Sequence, residues 1–172
     1  MVELSEKFGL YPITSSDVQE LISYKEEFAI KGEMLNGGLQ LQRYKSIRLW
    51  RIHVFYCSLP YWCHVFMPCS RIYCLKEVGN DRILGLTVIR LTKIRYFLEQ
   101  GGHIGYSIRP SERQKGYGRL ILSLAKKKCN EFGISEIKLF CSKENLYSQK
   151  VILANGGKMT AENSEEYRFV IK

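Results

Sequence analysis

Arg113, Gly116 and Gly118 form the pattern Arg-x-x-Gly-x-Gly at a point where a strand pattern gives way to a helix pattern. Glycines at a helix start leave the backbone bare, so several N–H groups can converge on an oxyanion at the positive end of the helix dipole. A pyrophosphate suits such a cradle. Lys115 and Arg119 flank the turn and would add charge-assisted contacts to phosphate oxygens. Two other phosphate loops are excluded by the same stretch. A P-loop needs Lys and then Ser or Thr after its last glycine, and here Gly118 is followed by Arg119 and Leu120. A dinucleotide fingerprint needs Gly or Ala at position 121, which is Ile121. Taken alone, a Gly-x-Gly that opens a helix fits either a phosphate cradle or an ordinary turn.

The elements that must position this loop are legible on both sides of it. Gly102 to Arg109 reads as a strand stopped by Pro110. Tyr117 to Phe132 reads as a helix with Leu120, Ile121, Leu124, Ala125 and Phe132 on one side, Lys126 to Lys128 towards the other, and Gly133 at its stop. Glu136 to Cys141 alternates as a strand, Asn145 can cap a short helix to Ala154, and Tyr167 to Ile171 makes a last strand. Upstream, Thr14 and Asp17 begin a capping signature for a first helix carrying Val18, Leu21, Ile22 and Phe28. A second helix is expected across Tyr44, Ile47, Trp50, Val54 and Phe55. Ile72 to Val78 and Ile83 to Leu91, joined by Gly79-Asn80-Asp81, read as a β-hairpin. The order is that of one mixed α/β (α+β) domain over residues 1–172, built on one sheet.

The composition narrows the class without choosing a function. A chain of 172 residues, 45% hydrophobic and 12% aromatic, suits a single core. A formal charge of +9 favours anionic partners, yet nucleic acid, acidic lipid and phosphorylated ligands all qualify. No interleaved basic and aromatic motif supports nucleic acid. The six cysteines show no Cys-x-x-Cys spacing, and Met-Val-Glu-Leu-Ser-Glu-Lys is not a signal peptide, so reduced thiols in the cytoplasm are expected. The nearly uncharged stretch Val54 to Cys69 contains Pro60 and Pro68 and falls short of a spanning helix of about 20 residues. No metal is expected, since no ligand cluster is visible.

The segment Gly-Gly-His-Ile-Gly-Tyr-Ser-Ile-Arg-Pro-Ser-Glu-Arg from Gly101 to Arg113, followed by Gly116 and Gly118, resembles the GNAT superfamily of acyl-CoA-dependent N-acetyltransferases. It is similar in particular to a subgroup of predicted bacterial acetyltransferases. Asn145, Ser148 and Asn155-Gly156-Gly157 resemble the superfamily's next motif. The resemblance implies a mostly antiparallel central sheet flanked by helices, in which the strand ending at Ile108 splays from that at Ile137 to Cys141. Acetyl-CoA would lie in the gap. Backbone groups of Tyr106, Ser107 and Ile108 would pair with its pantetheine arm. The loop Arg113, Gln114, Lys115, Gly116, Tyr117, Gly118 and Arg119 would hold its pyrophosphate. Asn145 would bond the cofactor's amide region with Ser148 nearby; locally, the two read equally as a helix cap and an ordinary helical serine.

Acetyl transfer to an amine needs a base, oxyanion stabilisation and a proton for the leaving thiolate. His103, near the start of the strand, is the expected base, and it reads alternatively as a tie between strand ends. The superfamily's acid is commonly a Tyr seven residues after the motif Asn; here that position is Ile152. Tyr147 and Tyr106 are the substitutes at hand. Trp50, Phe55, Tyr56, Tyr61 and Trp62 are expected to line the acceptor pocket or a core or dimer surface, and His64 could face substrate. The partner is an amine-bearing small molecule or peptide, with a homodimer and a monomer equally allowed. An acyl-CoA-binding sensor with little turnover is the alternative reading.

Overall fold

A computed structural model describes residues 6–59, 69–92, 98–99 and 101–172 of the chain. The hairpin is present: β2 (Ser70–Glu77) and β3 (Gly85–Arg90) pair antiparallel, from Ser70 opposite Arg90 to Leu75 opposite Gly85. Strand β1 (Phe8–Pro12) pairs with the outer edge of β2, and β4 (Ile104–Ile108) pairs with β3, giving the order β1-β2-β3-β4. Strands β5 (Ile137–Ser142), β6 (Lys158–Glu162) and β7 (Glu166–Ile171) form a second antiparallel sheet in the order β5-β7-β6. The sheet is divided between β4 and β5, where the resemblance implies that the two strands splay.

Helices cover the first sheet on both faces. Helix α1 (Val18–Lys31) and α2 (Ile47–Ser58) share a core with Ile72, Cys74 and Leu86, while α3 (Tyr117–Glu131) packs with Tyr73, Leu75 and Ile89 on the other face. Burial on both faces explains why β2 reads as a continuous apolar run and not an alternation. Helix α4 (Leu146–Ala154) joins the core of the second sheet through the buried Ile152.

Two ends of elements differ from the sequence expectation. The Thr14 amide (2.7 Å) and hydroxyl (2.9 Å) both donate to the Asp17 carboxylate, which also pairs with Lys76, so the signature organises a turn and α1 begins only at Val18. Helix α3 stops at Glu131: the amide of Gly133 bonds the carbonyl of Asn130 (2.9 Å) and that of Ile134 the carbonyl of Cys129 (2.9 Å). That turn leaves Phe132 exposed, and Leu122 and Cys129 fill the buried side instead. Strands β1 and β6 were not expected. β1 is short and carries Gly9 and Pro12, tolerated because an edge strand needs fewer ladder bonds. β6 is exposed at every position and so shows no apolar alternation.

Candidate functional site

Strand β4 is the free edge of its sheet, and the direction of its backbone groups follows from the ladder. Arg90 donates its amide to the carbonyl of His103 (2.8 Å) and Arg109 to that of Leu84 (2.9 Å). In an antiparallel pair bonded residues alternate, so Gly105 and Ser107 also face β3, while Ile104, Tyr106 and Ile108 turn their N–H and C=O away from it. Those groups point into the gap towards β5. The gap closes at one end only. There the amide of His103 donates to the carbonyl of Lys138 (2.7 Å), and the amide of Lys138 donates to His103 Nδ1 (2.9 Å). Gly102 permits the approach, since a Cβ there would stand 2.4 Å from the Lys138 carbonyl oxygen.

The cradle lies beyond the other end of β4. A short 3₁₀ turn (Pro110–Glu112) leads into a loop in which Gln114 (φ 64°) and Gly116 (φ 84°) are both left-handed, and α3 follows directly. The amides of Gln114 to Gly118 find no acceptor among the described residues. A run of unpaired N–H groups at a helix start is an anion site by both hydrogen bonding and dipole. The two glycines serve different ends. Gly116 is required by its conformation. Gly118 sits close against α4, where a Cβ would stand 3.1 Å from Val151 Cγ2.

The basic side chains around the cradle are partly neutralised. Arg113 makes a two-pronged pair with Glu33, in which Nη1 lies 2.9 Å from Oε1, and its guanidinium lies over the ring of Phe28. Lys115 pairs with Glu112 at 2.8 Å. Arg119 has no carboxylate partner among the described residues. The backbone, more than these side chains, therefore forms the cradle.

Across the gap, Asn145 caps α4 by accepting the Ser148 amide at its Oδ1 (3.0 Å), leaving its Nδ2 with no acceptor among the described residues. The Ser148 hydroxyl meets the Tyr106 hydroxyl at 2.9 Å, so a side chain from β4 reaches α4 beneath the gap. Burial pushes the Tyr106 phenol up to about 12 and keeps it protonated. Tyr147 is 74% exposed on the first turn of α4, whereas Ile152 is fully buried in the core. A phenol cannot occupy position 152 without displacing core packing.

His103 is almost fully buried, and burial, aided by Lys138 and Arg90, holds its pKa below the usual histidine value. Because Nδ1 accepts the Lys138 amide, the proton of the neutral ring sits on Nε2. The geometry is that of a tie between strand ends.

On the α1 and α2 side of the sheet lies a cavity of about 420 Å³. Residues 34–40 and Gln42 form one wall, His53 and Cys57 of α2 another, and Val88 and Arg90 of β3 its floor. The loop wall lies against β4 itself: a Cβ on Gly37 would fall 2.6 Å from the Tyr106 Cα. Val88 and Arg90 sit opposite Gly105 and His103, so the cavity adjoins the first half of β4 and the cradle follows its second half. From His103 to Arg109 an extended chain covers about 20 Å, a length suited to a stretched pantetheine arm.

His53, on the wall formed by α2, belongs to no motif that marks it in the sequence. It stacks on Tyr44 at 5.5 Å, lies 3.5 Å from Cys57 Sγ, and is held below the usual histidine pKa by burial alone. None of the described aromatics Trp50, Phe55 and Tyr56 lines the cavity, and the core reading holds for Trp50. Trp50 is fully buried and donates its indole N–H to the carbonyls of Gly38 (2.9 Å) and Leu39 (3.1 Å), bracing the loop, while Phe55 and Tyr56 are exposed on the outer face of α2. Tyr61, Trp62 and His64 lie outside the described residues. Among the described residues no cluster of metal ligands occurs, and no helix is long and apolar enough to cross a membrane.

The chain is similar to known proteins in family and in fold. The family described as acetyltransferase (GNAT) domain matches residues 8–158. A ribosomal L7/L12 alpha-N-protein acetyltransferase in complex with coenzyme A has the same fold, with a TM-score of 0.71 at 16% identity over 97% of this chain and 94% of that one. A spermidine N-acetyltransferase from Vibrio cholerae, in complex with CoA and spermine, gives 0.65 at 14% identity over 97% and 96% of the two chains. An N-acetyltransferase from Campylobacter jejuni in complex with acetyl coenzyme A gives 0.60 at 13% identity over 96% and 98%. No curated protein matches the chain.

Proposed function

Because the chain belongs to the acetyltransferase (GNAT) family, we propose that it moves the acetyl group of acetyl-CoA onto an amine of a small molecule or peptide, by direct attack of that amine. The observation that carries this reading is the run of amides from Gln114 to Gly118 without acceptors among the described residues, set at one end of a strand edge whose other end adjoins a cavity. Acetyl-CoA supplies an activated thioester. Everything else falls to the protein.

The Gln114 to Gly118 amides hold the pyrophosphate, with Arg119 adding its unpaired charge. The outward groups of Tyr106 and Ile108 pair with the pantetheine arm, Ser107 anchors the strand behind them, and Asn145 Nδ2 donates to the arm from the other side. Ser107 is suited to anchoring because its hydroxyl bonds Tyr24 at 3.0 Å and the carbonyl of Asn36. The base role moves from His103 to His53. A half-buried ring held below the usual histidine pKa beside the acceptor cavity can take the amine proton, whereas His103 has its only free lone pair engaged by Lys138. Tyr147, open to solvent for reprotonation, donates to the leaving thiolate. A thiolate with a conjugate acid near pH 8.5 needs little help, which makes that role a minor one.

Saturating acetyl-CoA should raise the melting temperature by several degrees, and a panel of amines should then release free thiol. No melting shift would contradict the whole reading. A shift without thiol release from any amine would leave a CoA-binding module in place of an enzyme.

A further inference from the structure

The cavity beside β4 contains a half-buried cation with no carboxylate partner among the described residues. Arg90 projects from the last position of β3 into that cavity, and burial alone depresses its pKa. Its Nη1 donates to the carbonyls of Gly101 (3.1 Å) and Gly102 (3.3 Å), which fix the guanidinium against the turn that precedes β4. No carboxylate reaches it among the described residues, and no Asp or Glu lines the cavity. The nearby acids are engaged elsewhere: Glu20 and Glu27 hold the fully buried Arg109, and Glu33 holds Arg113. Arg43, with no carboxylate partner among the described residues, adds a second cation at the exposed rim.

A charge drawn partly out of water and left without a counter-charge is costly, and a ligand carboxylate in the cavity would offset that cost. Guanidinium is, in addition, the group best matched to a carboxylate, through two parallel N–H bonds. A polycationic amine would meet the opposite situation, with Arg43 and Arg90 both repelling it and no carboxylate to receive it.

We propose that the acceptor is a small amine that also carries a carboxylate a few bonds from the nitrogen, with the carboxylate held by Arg90 and the amine directed to His53 and the thioester. This rests on the acetyl-CoA reading above. It assigns Arg90 as the residue that sets specificity, and it separates this chain from polyamine acetylation.

The test compares three acceptors of matched length, a free amino acid, its carboxamide and a diamine, by release of CoA thiol. The carboxylate form is expected to be preferred at least about 100-fold in kcat/KM, since a site built for a polar group rejects analogues that lack it. Arg90→Gln should erase that preference by slowing the carboxylate form alone, and Arg90→Lys, which keeps the charge, should retain part of it. In both variants the melting shift caused by acetyl-CoA should be unchanged. Preference for the carboxamide or the diamine overturns the proposal, as does an equal loss on all three acceptors in both variants. If none of the three is acetylated while acetyl-CoA still raises the melting temperature, the proposal fails and cofactor binding stands. If acetyl-CoA raises nothing, the underlying reading fails first.

Discussion

The two ends of β4 meet their ligands with different materials. Beyond Ile108, the cradle is made of main-chain amides in a loop fixed by left-handed Gln114 and Gly116, and its nearest basic side chains are already paired with Glu33 and Glu112. Before Ile104, the cavity is made of side chains, with Arg90, His53 and the residue 34–40 loop around about 420 Å³. A backbone site depends on conformation and is indifferent to most substitutions that preserve it. A side-chain site changes its ligand with one substitution. The contrast predicts opposite mutational sensitivities for the two regions.

Gly116→Val should have the largest effect. A β-branched residue at φ 84° strains the turn by about 1–3 kcal/mol, and the displaced amides should lower acetyl-CoA affinity by roughly 100-fold, as titration calorimetry would show. If affinity holds, the cradle is elsewhere.

The two histidines should separate next. His53→Gln is expected to lower kcat by about 100-fold with acetyl-CoA affinity unchanged. His53 is depressed below its usual pKa, so its basic form persists below pH 6.5, and kcat/KM should stay level through neutrality and fall only in more acidic buffer. His103→Gln should mainly cost stability. Its pKa is also depressed, so just below pH 6.5 the unfolded chain binds a proton that the folded chain refuses. Stability is therefore present above that value and is lost as the pH falls, and the substitution should flatten that part of the melting profile. A kcat loss confined to His103→Gln would return the base role to it.

Smaller effects sharpen the contrast. Tyr147→Phe should lower kcat by less than about tenfold, since the thiolate leaves readily. Gln114→Gly should change acetyl-CoA affinity by no more than about twofold, because only the backbone at that position is used and glycine adopts its conformation without strain. A large loss there would mean that the Gln114 side chain binds the cofactor.

The cradle was legible in the sequence because glycine spacing at a strand-to-helix join is a local property, and so were the Asn145 cap and the hairpin turn. The division of the sheet between β4 and β5 came only from the family resemblance, as no local pattern marks it. The acceptor side was legible least. Arg90 reads as a polar end to a strand, and its meaning depends on the distant acids being engaged by Arg109 and Arg113. His53 was hidden in a stretch whose aromatics suggested a lining, whereas Trp50 braces a loop and Phe55 and Tyr56 face outward. His103 drew attention by its place next to the motif, yet its partner Lys138 is far away in sequence.

The account stands or falls on whether the Gln114 to Gly118 amides receive the cofactor. Amide resonances recorded while acetyl-CoA is added would report on each of them directly. Saturable downfield shifts at Gln114, Lys115, Gly116, Tyr117 and Gly118, larger than those in the 34–40 loop, are the predicted result. Cofactor binding that leaves those five resonances in place would contradict it.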